Sequence, residues 1–87
     1  MRSHYKQVLK VYFHDKVFRA RVELNISQEE MAHRLGLSCR SYVELDHGKA
    51  CCSAVTLAVF LIYICNDPVA FLEELRYAFE EIRANAV

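Results

Sequence analysis

Glycine occurs twice in this chain, and both residues, Gly36 and Gly48, stand where a helix would have to stop. Each closes a short segment that opens on a serine, Ser27 before the first and Ser38 before the second. A serine at a helix start accepts from a backbone N–H that the helix leaves unpaired, and a glycine just past the end takes a left-handed backbone without steric cost. Residues 27–48 therefore read as two short helices across a tight turn. Glu30, three residues after Ser27, has the spacing of a capping box. Met31, Leu35, Leu37, Tyr42 and Leu45 are placed so that both helices share one wedge of core. Ala32 faces the crossing, where a larger side chain would push the two apart. Any fold open to the chain must accommodate this unit.

The remaining sequence predicts an all-α, single-domain protein. Two Gly and one Pro in 87 residues leave little material for strands joined by tight turns. Residues 1–14 carry two patterns: Val8, Val11 and Tyr12 have helical spacing, while Leu9, Val11 and Phe13 alternate as in a strand. A helical extension packed on the domain is the preferred reading. A core over 15–65 then begins with a helix capped by Asp15, which places Val17, Ala20, Arg21 and Leu24 on one face and ends near Asn25. Ser53 caps a fourth helix over 54–65 that is apolar nearly all round, with a buried strand as its rival. Such a helix needs covering on two sides. Asn66-Asp67-Pro68 breaks the chain and restarts it as a last helix over 67–85. Its seam of Leu72, Leu75, Phe79 and Ile82 is of the kind that pairs helices. A small core cannot occupy both apolar helices, so a homodimer through the fourth and fifth helices is expected.

Several function classes are disfavoured. The apolar run from Ala54 to Cys65 is too short to span a bilayer, and the first residues lack the apolar core of a signal peptide, so a cytoplasmic protein is expected. Cys39, Cys51, Cys52 and Cys65 show no Cys-x-x-Cys spacing and are read as free thiols. His47 lies four residues before Cys51, which by itself is no metal site, and no metal or cofactor is expected. His4, His14, His33 and His47 form no recognisable arrangement with a nucleophile or acid pair, and no glycine-rich phosphate loop is present, so an enzyme is not expected.

The pattern of Gln28, Ala32, Gly36, Leu37, Tyr42, Leu45 and Gly48 resembles the helix-turn-helix of the phage-repressor and xenobiotic-response-element (Cro/C1-type) family, over about Val17 to Ile64. The resemblance implies a five-helix lambda-repressor-like domain, usually dimeric, that binds double-stranded DNA with the helix over 38–47 in the major groove. It also implies that Gln28 bonds a backbone phosphate, that Cys39, Arg40 and Glu44 meet base edges, and that Arg21 pairs with Asp46 to orient the recognition helix. Asp replaces the commoner Glu in that pair, and Ala50-Cys51-Cys52 replaces the usual polar connection. Side-chain chemistry favours Arg40, which can read guanine through two acceptors for about 1–3 kcal/mol of discrimination. Ser38 and Ser41 can hold phosphate at the helix start, and His47 and Lys49 can do so beyond its end.

Charge qualifies that expectation. Formal charge is zero, with eleven basic and eleven acidic residues. Residues 27–49 carry three basic against four acidic side chains, whereas residues 1–21 carry six against one. Attraction to a polyanion would come from the N-terminal part and from doubling of contacts in a dimer. A protein-interaction module of the same fold, without DNA binding or in an antitoxin-like role, is the alternative.

Overall fold

The computed structural model describes residues 2–85, which form five helices and, among the described residues, no strand. They are α1 (Arg2–Leu24), α2 (Gln28–Leu35), α3 (Cys39–Asp46), α4 (Ala54–Val59, prolonged by a wide turn over Phe60–Ile64) and α5 (Pro68–Asn85). None of the described helices is long and apolar enough to cross a membrane.

The punctuation of the central unit is built as its residues dictate. Ser27 Oγ accepts from Glu30 N at 3.1 Å and Ser38 Oγ from Ser41 N at 3.1 Å. Gly36 is left-handed at φ 73°, which lets Leu37 N reach Ala32 O at 2.9 Å and satisfy a carbonyl the helix would leave open. Gly48, at φ 70°, does the same for α3, with Lys49 N on Glu44 O at 2.8 Å. Asn25 supplies the third left-handed residue, at φ 54°. The capping box is formed only in its forward half, because the Glu30 carboxylate turns to Arg34 Nε at 3.1 Å.

The first helix differs from expectation in length. Asp15 caps nothing; it lies in the middle of α1 and pairs with Arg19 at 3.0 Å. Residues 2–14 continue the helix instead of forming a separate segment, because their apolar face meets α5. Tyr5 packs on Phe79 with ring centroids 4.7 Å apart, Tyr12 packs edge-on against Phe71 at 5.0 Å, and the Tyr12 hydroxyl donates to Glu74. These contacts are far apart in sequence, so periodicity over residues 1–14 alone left helix and strand both open.

One core gathers all five helices. Phe13 and Val17 of α1 meet Met31, Ala32 and Leu35 of α2, Tyr42 and Leu45 of α3, Phe60, and Phe71 and Leu75 of α5. Phe60 is the hinge of this arrangement, with Phe13 edge-on at 5.2 Å and Phe71 tilted at 5.8 Å. It opens a turn in which Cys65 N reaches back five residues to Phe60 O, at 2.8 Å. The segment over 54–65 is thus helical, not a strand, yet it is not covered on two sides: Val55 and Tyr63 are 73% and 79% exposed, and Ile62 is also open. Asp67 caps α5 through Ala70 N at 3.0 Å.

Candidate nucleic-acid interface

Helix α3 divides cleanly into an inner and an outer face. Tyr42, Leu45 and Asp46 are buried, while Cys39, Arg40, Ser41 and Glu44 are exposed. The division follows from the helical repeat, which returns Tyr42, Leu45 and Asp46 to one side within a single turn. Arg40 is 92% exposed, and its Nε stands 3.9 Å from the Glu44 carboxylate, a loose pair one helical turn apart that leaves the guanidinium free to reorient. At the start of the helix Ser38 accepts from Ser41 N and donates to Ser41 Oγ at 3.0 Å, so the Ser41 hydroxyl keeps its own proton for an outside acceptor. His47 and Lys49 are exposed at the far end.

Gln28 is placed otherwise than the resemblance implies. Its Nε2 donates to Asp46 Oδ2 at 2.8 Å, which ties the start of α2 to the end of α3. A carboxylate as buried as Asp46, at 7% exposure, must be met by donors, and Gln28 is the nearer of the two side chains that reach it. The expected Arg21–Asp46 ion pair does not form. Arg21 Nη1 donates to the Ile26 carbonyl at 3.3 Å, its guanidinium lies 5.5 Å from the centre of the Phe18 ring, and its buried Nε has no hydrogen-bond partner.

Tyr42 is the second side chain to meet Asp46. Its hydroxyl lies 3.5 Å from Asp46 Oδ1. Burial first, and the Asp46 charge second, push its ionisation up to about 12, while Arg21 pulls the other way. The buried Tyr42 hydroxyl thus joins Gln28 in meeting the Asp46 carboxylate. Tyr42 enters the sequence pattern only as a core residue; nothing in the spacing distinguishes its hydroxyl from its ring.

The seam on α5 is divided in use. Leu75 is buried in the chain's own core and Phe79 packs on Tyr5 of α1, so those two are used within the chain. Leu72 is half exposed, at 50%, and Ile82 is partly buried. The sequence assigns the seam a partner but cannot show that an extended α1 would take half of it.

All four cysteines are free thiols. Cys52 is pushed up to about 12 by burial and by its neighbour Cys51, which keeps it protonated at ordinary pH. Among the described residues no group of three or more His, Cys, Asp or Glu side chains is placed to hold a metal ion.

No protein-family model matches the chain, and neither a curated protein nor a solved structure is significantly similar to it.

Proposed function

We propose that this chain is a sequence-specific, double-stranded-DNA-binding transcriptional regulator of the phage-repressor type, cytoplasmic and homodimeric, with α3 in the major groove. The observation that carries this reading is the two-faced α3. Its inner face is anchored by Tyr42, Leu45 and Asp46, and its outer face offers Cys39, Arg40 and Glu44 to a groove with the helix start pointing a free serine hydroxyl outward. Arg40 reads guanine, Glu44 accepts from a cytosine amino group, and Cys39 suits a thymine methyl. Ser38 and Ser41 with the helix dipole, and Lys49 at the other end, hold phosphates. Gln28 supports this surface from behind by fixing Asp46. The dimer forms through the exposed parts of α4 and α5, where Leu72 is the seam residue that the chain itself leaves open.

The test is selection of duplexes from a random pool by the purified protein, followed by titration at low and moderate salt with Arg40→Ala alongside. Enrichment of one sequence class, with discrimination reduced by about tenfold in the variant, is the expected result. Failure to enrich any sequence would remove the DNA-reading assignment. A second reading, a protein-interaction module on the same scaffold, is favoured by one observation: Val55, Tyr63 and Tyr77 are each more than seven-tenths exposed. Large apolar side chains left open in this way are the material of a binding surface where they adjoin.

A further inference from the structure

We propose that the groove between the first half of α1, the end of α5 and the connection after α3 binds a small organic anion with a flat apolar body, such as an aryl carboxylate or sulfonate. The groove has a volume of about 570 Å³, the size range of small-molecule sites. Arg2 and Lys6 line it from α1 and Arg83 from α5, and none of the residues lining it is acidic. Three cations brought around one concavity repel one another until an anion lies among them.

Lys16, Arg19, Arg34 and Arg76 all hold carboxylates at 3.1 Å or less, whereas Arg2, Lys6 and Arg83 have no ion-pair partner among the described residues. Lys10, Arg21 and Lys49 also lack an ion-pair partner among the described residues, but of these unpaired cations only Arg2, Lys6 and Arg83 line this groove. Tyr5 and Phe79 also line the groove, with ring centroids 4.7 Å apart, and supply the apolar surface against which a flat ligand can stack. Charge alone would suit a bare phosphate; charge beside paired aromatic rings suits an amphipathic anion. No residue of α3 lines the groove, so the site stands apart from the DNA-reading face and does not depend on it. Cys51 Sγ, which also lines it, donates weakly to the Lys6 carbonyl at 3.9 Å and gives the site a chemical reporter.

The experiment titrates the full chain with the fluorescent aryl sulfonate anilinonaphthalene sulfonate. Lys6→Glu and Arg83→Glu should each weaken binding by about tenfold, the loss expected when a charged contact is reversed, while Arg34→Glu leaves it unchanged. In the unaltered protein the same probe should slow alkylation of Cys51, read by peptide mass spectrometry, without slowing that of Cys39. This second readout needs no variant and so survives any folding defect. Equal binding by both reversed variants, or an unprotected Cys51, overturns the proposal. Displacement of the probe by inorganic phosphate or duplex DNA as readily as by an aryl carboxylate overturns it as well, because charge alone would then be recognised.

Discussion

Asp46 shows how a single position carries more than its type announces. The family resemblance implies an ion pair with Arg21, but the side chains that reach it are Gln28, at 2.8 Å, and Tyr42, at 3.5 Å. Gln28→Ala should therefore lower stability by about 1–3 kcal/mol, the cost of leaving a buried acceptor without its donor. Gln28→Glu should cost more, since it sets a second carboxylate beside the first. Urea unfolding measures both; an unchanged midpoint in Gln28→Ala would mean that Asp46 does not rely on this bond. Serine caps and left-handed glycines were legible from the sequence because each acts within five residues of itself, as Gly36 does through the Leu37 N–H on the Ala32 carbonyl. The partner of Asp46 was not, since Gln28 and Arg21 are both compatible with its spacing and only the distance between side chains decides.

Helix α5 makes the same point for an element. Leu72 and Leu75 are one helical step apart and belong to one apolar seam, yet Leu75 is 8% exposed and Leu72 50%. Leu75→Ala should destabilise the fold by about 2–5 kcal/mol, as for other core truncations. Leu72→Ala should shift the stability of the isolated chain by no more than about 0.5 kcal/mol. Its effect is expected on association: sedimentation at several concentrations should show a weaker dimer, and equal behaviour of Leu72→Ala and the unaltered chain would move the interface elsewhere. The start of α5 was readable from Asp67 and Pro68, and its amphipathicity from its repeat. Which half of the apolar face is used internally depends on α1, whose length the local pattern did not resolve.

The whole molecule couples these elements through groups that are hard to ionise in place. Unfolded, Cys52 loses its proton near 9; folded, burial and Cys51 raise that to about 12. Tyr42 is raised from 10.0 to about 12 by burial and Asp46. In both cases the unfolded chain releases its proton first as pH rises. The stability they contribute is complete below pH 9 and is lost progressively between 9 and 12. Urea midpoints should fall from about pH 8 to about pH 11, and Cys52→Ala should delay the onset to the tyrosine range near 10. A flat profile would mean that neither group is held in its protonated form by the fold. Glu74 acts on the acid side: Tyr12 first and Lys16 second hold its carboxyl below the usual range, so its small, solvent-screened contribution is present above that range and fades as pH falls through the lowered value. The sequence by itself determined the two-helix unit over residues 27–48 and the breaks near Asn25 and at Asn66-Asp67-Pro68, because caps, left-handed residues and apolar repeats act over a few residues. It left helix and strand open over 1–14 and 54–65 and placed at Asp15 a helix start that α1 runs through. Tertiary structure decided the length of α1, the sharing of the α5 seam, the meeting of Gln28 and Tyr42 with Asp46, and the gathering of Arg2, Lys6 and Arg83 around one groove. Each of those depends on surfaces brought together from distant parts of the chain, and no local pattern records which surface will be nearest.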